Sequence, residues 1–254
     1  MYINCKQCNK LFYQNRKDKI FCSKKCVYKN YNDRRPRKTN KSYSKARTLK
    51  GESISKEKMS IIYGTLLGDS SLILQTDGFH RLSLCHCEKQ LDYLLFKKQL
   101  LNEIFLQDNV NRYNNNGNIQ YHTHSISHPS LTNIYGIFYR NKKRYITRRG
   151  LNLLDEDSLL FWYLDDGSYI KSNDSIIICT DSYTLSEVKG IKKWFWQKFN
   201  IEVKILPVKG VYGGDRMYYR IRLNKKPSFK FLSLLSHSQY FNGVPLSIRY
   251  KFNS

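Results

Sequence analysis

Two stretches decide how this chain is built: Gly64-Thr65-Leu66-Leu67-Gly68-Asp69-Ser70-Ser71-Leu72 and Leu160-Phe161-Trp162-Tyr163-Leu164-Asp165-Asp166-Gly167-Ser168-Tyr169. Each is an apolar helical run that ends in a carboxylate and passes at once into a strand-forming segment. Asp69 and Asp166 stand 97 positions apart. A helix C-terminus carries partial negative charge, so an aspartate there is unfavourable, and two such ends side by side are worse. A divalent cation between them reverses that argument. Mg²⁺ favours one or two carboxylates together with water and phosphate oxygens. Gly64 and Gly68 share a helix face and permit close approach of another backbone.

The segments around these stretches repeat. In the first half, Ser55 is placed to cap a helix over 59–69. Strands over 72–75 and 79–87 flank an Asp77-Gly78 turn. An amphipathic helix spans 90–105, a hairpin turns at Asn116-Gly117 with 119–126 as its second strand, and a helix covers 131–139. In the second half, Asp155 caps the helix that ends at Asp166. Strands follow over 169–171 and 175–180, and Thr184 with Glu187 forms a capping box opening a helix to 199. Strands over 203–206 and 217–223 and a helix over 228–235 complete it. Each half reads α-ββ-α-ββ-α. The expected fold is therefore α+β, a duplicated, pseudo-symmetric αββαββα repeat with antiparallel sheets, its halves at 53–150 and 151–254.

The two stretches resemble the paired motifs of single-chain LAGLIDADG homing endonucleases. Similar segments follow at Glu88-Lys89-Gln90-Leu91-Asp92-Tyr93-Leu94, Ser127-His128-Pro129-Ser130-Leu131, Phe138-Tyr139 and Thr180-Asp181-Ser182-Tyr183-Thr184, so the resemblance covers about residues 53–254. It implies motif helices packed at the centre and sheets forming a saddle over DNA. The implied activity is that of a homing endonuclease hydrolysing one phosphodiester per strand at a specific site. Asp69 and Asp166 match the positions that bind Mg²⁺ and the scissile phosphates, and Asp165 matches the less critical preceding position. Lys251, and Lys143 or Arg144, match assisting basic residues. Two halves in one chain imply a monomer and a long, largely asymmetric double-stranded target. The same fold also serves RNA maturases that assist intron splicing, which would make intron RNA a partner. A non-cleaving DNA-binding regulator is a third reading, against which the retention of both aspartates argues. The chain departs from the pattern at Leu67, at Ser70 in place of glycine, and at Phe161 and Asp165 in place of small residues, so the helix pair is expected to pack asymmetrically.

The charge supports an anionic partner. Of 254 residues, 44 are Lys or Arg and 20 are Asp or Glu, a net of +24. Such an excess repels itself in a compact chain. With 41% hydrophobic and 14% aromatic residues, a wholly disordered basic tail is excluded. No apolar run reaches the length of a membrane span, and Met1-Tyr2-Ile3-Asn4-Cys5 opens no signal-peptide stretch, so the expected setting is intracellular.

Residues 1–60 hold 18 Lys or Arg against 4 Asp or Glu. Cys5, Cys8, Cys22 and Cys26 fall here with spacing C-x2-C-x13-C-x3-C, which suits one tetrahedral Zn²⁺ in a finger over 1–30. A segment this short lacks a core, so the metal would supply its folding energy. Residues 31–52 read as a basic arm, with Arg34, Arg35, Arg37 and Lys38 set to lie along nucleic acid. Cys85 and Cys87, and His122 and His124, share strand faces, which a packed or DNA-facing surface explains more simply than a second metal. Alternation along the strands places Arg81, Ser83, Gln120, His122, Arg220 and Arg222 on the outer face, where Arg reads guanine and Gln reads adenine.

Overall fold

A computed structural model describes residues 1–16, 18–34, 52–106, 109–210 and 217–252. The chain divides into two compact units, Met1–Lys45 and Ala46–Ser254.

In the first unit, β1 (Tyr2–Asn4) and β2 (Leu11–Tyr13) form an antiparallel hairpin, with Ile3 opposite Phe12. Helix α1 (Lys24–Arg34) follows. Composition alone assigned residues after 26 to a finger edge and an irregular arm; the helix instead runs on to Arg34. The Ser23 carbonyl accepts the N–H groups of Cys26 and Val27, at 3.1 and 3.2 Å, and so closes the first turn from which it propagates. Arg34 ends that helix, whereas Arg35, Arg37 and Lys38 lie outside the described residues.

The second unit carries the repeat. Its first half runs α2 (Lys56–Leu67), β3 (Ser71–Leu74), β4 (His80–Cys87), α3 (Leu91–Leu100), β5 (Asn111–Asn115), β6 (Asn118–His128) and α4 (Pro129–Phe138). A short hairpin, β7 (Tyr139–Arg140) with β8 (Lys143–Arg144), and α5 (Arg148–Asn152) come between the halves. The second half runs α6 (Glu156–Asp166), β9 (Gly167–Ile170), β10 (Ser175–Ile178), α7 (Leu185–Phe199), β11 (Lys204–Lys209), β12 (Met217–Leu223) and α8 (Lys225–Leu235), with α9 (Leu246–Arg249) after it. Each half builds a four-stranded antiparallel sheet, in the orders β3-β4-β6-β5 and β11-β12-β10-β9. Among the described residues no helix is long and apolar enough to cross a membrane.

Local chemistry sets these elements. Asn116 and Gly117 take φ of 50° and 87° in the two-residue turn that pairs Asn115 with Asn118. Asp155 caps α6 through Ser158 N at 2.9 Å, and the Thr184–Glu187 capping box opens α7. Ser55 precedes α2, but its hydroxyl donates to Glu103 Oε1 at 3.0 Å instead of capping. Helix α3 stops at Leu100, short of the 105 expected. Beyond it the chain turns back onto the sheet, burying Leu101, Ile104 and Phe105, and the Ile104 carbonyl accepts Ile126 N–H.

The helices α2 and α6 cross at the centre. Every side chain from Leu159 to Leu164 is fully buried, as befits a helix that is apolar all round. The approach is backbone-close: a Cβ on Gly64 would lie 2.2 Å from the Ser158 carbonyl oxygen, and one on Gly68 would lie 2.3 Å from Asp165 Cβ. Small residues on α2 thus receive large ones on α6, the asymmetry the motifs foreshadow.

Candidate active site

The C-terminal ends of α2 and α6 deliver Asp69 and Asp166. Asp69 keeps 43% of its side chain exposed. Lost hydration and the Asp165 charge push its carboxyl up to about 6. Burial, with the charges of Asp69 and Asp165, pushes Asp166 up to about 8. Two carboxylates that resist ionising together are what a bound cation relieves.

Three basic groups converge on these helix ends. Arg144 Nη1 donates to the Leu66 carbonyl at 2.9 Å and to that of Gly68. Lys251 Nζ donates to the Leu164 and Asp165 carbonyls at 2.6 and 3.0 Å, and burial holds its amine below the ordinary range. Each half thus places one cation on the orphan carbonyls of its motif helix, countering the helix dipole. Of the two residues considered in the 143–144 pair, Arg144 occupies this place. Lys143 is exposed, because neighbouring residues on β8 point to opposite faces.

The third cation is Lys97, whose side chain is wholly buried in α3. Its Nζ lies 2.9 and 3.2 Å from the Asp165 carboxylate oxygens and 2.9 Å from Thr65 Oγ1. Burial works against the Asp165 charge, but the Lys97 ammonium and the Thr65 hydroxyl hold its carboxyl below the ordinary range. His86 sits 3.7 Å from Asp69 Oδ2; burial and the Lys97 charge hold its imidazole neutral, down to about 3. Ligand atoms of Asp69, His86 and Asp165 lie within 4.8 Å of one another. Oxygen donors with depressed acidity suit a hard divalent cation, so Asp69 and Asp166 fit Mg²⁺.

The outer sheet faces hold most of the residues expected there, in altered roles. Arg81, Gln120, His122 and Arg222 are half-buried on that face. Ser83 is only 8% exposed, covered where it pairs between Ser71 and His124 beside a register shift. Arg220 is engaged within the protein: its Nε and Nη2 grip both oxygens of Asp181 at 2.8 and 2.6 Å. The Cys85 sulfur meets His122 Nε2 at 3.2 Å.

In the first unit the sulfurs of Cys5, Cys8, Cys22 and Cys26 lie within 4.8 Å of one another. Burial works to raise the Cys5 thiol, yet N–H donors from Cys22, Cys8 and Gln7 outweigh it and bring it to about 6. Hydrogen bonds shared with the Cys26, Cys8 and Cys5 sulfurs push Cys22 up to about 12. Four thiols sharing protons at this range fit a tetrahedral Zn²⁺, which displaces those protons.

The sequence pattern of the LAGLIDADG DNA endonuclease family matches residues 59–232, a stretch that includes most of α2, all of α6 and both four-stranded sheets. The chain belongs to this family. Family members that are homing endonucleases are DNA nucleases. The chain is 27% identical over 157 residues to cytochrome b mRNA maturase bI2 of Debaryomyces hansenii, covering 59% of this chain and 59% of that protein's length. It is 22% identical over 199 residues to DNA endonuclease I-ChuI of Chlamydomonas applanata, covering 72% of this chain and 90% of the relative. The fold matches that of the homing endonuclease I-WcaI bound to its DNA recognition sequence, with a TM-score of 0.69 and 19% identity over 87% of this chain and 96% of that one.

Sequence reasoning passed over Lys97, Tyr93, Thr65 and His86. A signal for Lys97 was present: it lies three and four residues from Leu94 and Tyr93, on the apolar stripe of α3, where a charge has no place without a partner.

Proposed function

We propose that this LAGLIDADG protein is a site-specific, Mg²⁺-dependent DNA endonuclease that cuts one phosphodiester in each strand. The observation that carries this reading is the pairing of Asp69 with Asp166 at the ends of two backbone-close helices, each carboxyl raised above its ordinary range. Asp69 and Asp166 would hold Mg²⁺, which when bound supplies charge stabilisation at phosphate oxygens and a more acidic water. Arg144 and Lys251 hold the helix ends in place and offset the charge gathered there. Arg81, Gln120, His122 and Arg222 would face base edges and phosphates across the saddle, and the target would be long and largely asymmetric, read by a monomer. Cys5, Cys8, Cys22 and Cys26 would hold structural Zn²⁺ in a module that adds phosphate contact through its lysines.

The test is cleavage selection from a randomised duplex library with Mg²⁺ or with EDTA. Mg²⁺-dependent recovery of one long site, with double-strand cutting lost in Asp69→Asn and in Asp166→Asn while binding persists, is the expected result. Undiminished cutting by either variant would remove that residue from the assignment. A second reading, RNA maturase, is favoured by the likeness to the Debaryomyces maturase. Splicing assistance to a structured intron RNA by protein that cuts no duplex would make it the primary one.

A further inference from the structure

The two halves differ in one respect that their shared topology does not require. On α3 the buried positions are Tyr93, Leu94 and Lys97, whereas the buried face of α7 is wholly apolar, with Val188, Ile191, Trp194 and Phe195. Likewise Asp165 stands on α6 where α2, at the same distance before its aspartate, has Gly68. A buried ion pair between the two halves, Lys97 with Asp165, therefore stands beside Asp69, and no equivalent pair stands at the matching positions of α7 and α2 among the described residues.

The carboxylate of that pair is saturated by the protein. Asp165 Oδ1 accepts from Lys97 Nζ at 2.9 Å and Tyr93 OH at 2.8 Å; Oδ2 accepts from Thr65 Oγ1 at 2.7 Å, Lys97 Nζ at 3.2 Å and Asp69 N–H at 3.3 Å. A carboxylate offers about four lone-pair sites, so these four donor groups leave none for a cation. Despite its place beside Asp69 and His86, Asp165 is thus no free ligand. Its bond to Asp69 N–H fixes the backbone from which the Asp69 carboxyl projects. The Asp166 backbone is held otherwise, by Cys179 N–H donating to its carbonyl at 2.9 Å within the sheet connection.

We propose that Lys97 and Asp165 are positioning residues for Asp69 more than for Asp166, so that the two strand cuts depend unequally on this buried pair. This rests on the endonuclease reading above. Lys97 orders Asp165, and Asp165 orders Asp69. Asp165 precedes Asp166 on α6 and its charge bears on that carboxyl, but the hydrogen bonds that Asp165 accepts come from Lys97, Tyr93, Thr65 and the Asp69 backbone.

The experiment measures strand-resolved cleavage of the duplex recovered in the selection, with a different end label on each strand. Removing one partner would leave a lone buried charge and risk unfolding, so the variant is Lys97→Met with Asp165→Ala. Tyr93→Phe, which deletes a single donor and keeps the ion pair, is the second. The expected result is that the double variant shifts the ratio of the two strand rates by about 10-fold, the loss a small misplacement brings. The slowed strand is the one that Asp69→Asn slows most, and binding in Ca²⁺ changes less than about twofold. Tyr93→Phe shifts the same ratio in the same direction by less. A structural role alone would slow both strands alike. Equal slowing, or an unchanged ratio in both variants, would overturn the proposal. Failure of the wild-type protein to cut would instead refute the endonuclease reading on which it rests.

Discussion

Gly64→Ala tests both the helix crossing and its purpose. The added methyl would sit 2.2 Å from the Ser158 carbonyl oxygen, 2.9 Å from its carbon and 3.0 Å from Phe161 Cβ. An ordinary contact needs about 3.4 Å, so α2 and α6 must part by roughly 1 Å. The obstacle is backbone, and α6 is held at that end: Asp155 caps it through Ser158 N at 2.9 Å and accepts Ser60 Oγ from α2 at 2.5 Å. Overpacking of this kind costs about 3 kcal/mol, and alanine returns about 1 kcal/mol of helix propensity. The net loss of about 2 kcal/mol corresponds to a Tm roughly 4–8 °C lower for a unit of this size. The same displacement separates Asp69 from Asp166, so strand cleavage should fall about 100-fold with DNA binding much less affected. Gly136→Ala in α4 and Gly190→Ala in α7 are the controls. Nothing lies within 4 Å of a Cβ at either site, so both should raise stability by about 0.5 kcal/mol. Thermal unfolding reads all three, and a Gly64→Ala protein as stable as these controls would refute the crossing.

Three further outcomes follow from the site. Asp166 is raised to about 8 in the fold against about 3.9 when unfolded, so it favours folding most below pH 4 and that contribution is lost as pH rises through 8. Metal-free Asp166→Asn should therefore gain in stability over wild type as pH climbs from 5 to 8, by on the order of 3 kcal/mol at the top and with a correspondingly higher Tm, with Mg²⁺ closing the gap; parallel Tm curves would count against it. Arg144→Met uncovers the Leu66 and Gly68 carbonyls and should cost about 1 kcal/mol and slow cleavage, while Lys143→Met leaves both unchanged; equal effects would contradict the assigned register. Cys5→Ser should release Zn²⁺ and weaken DNA binding with little change in cutting rate, and unchanged zinc content by elemental analysis would dismiss the four-thiol site.

Much of the central architecture was legible before any coordinates. The order α-ββ-α-ββ-α stands in the periodicity of each half, the hairpin at Asn116-Gly117 in its turn chemistry, and the α7 start in the Thr184–Glu187 pair. These are local properties, decided within a few residues by backbone preference and alternation. The small faces at Gly64 and Gly68 were equally plain, because only glycine permits so close an approach.

What the sequence could not determine is how charges distant in the chain meet. Lys143 and Arg144 are indistinguishable as neighbours in a list, and only the hairpin β7–β8 turns one toward the Leu66 carbonyl and the other to solvent. Arg220 alternates correctly on β12, yet Asp181, in the turn after β10, claims its guanidinium. Asp165 reads as the lesser of two adjacent carboxylates until Lys97, 68 residues earlier, is folded against it. Composition and local pattern determined the elements and the two aspartates at their ends. The partners of every buried charge were decided by tertiary structure, because a side chain's ionisation and orientation depend on which donors surround it in space, and those donors come from both halves of the chain.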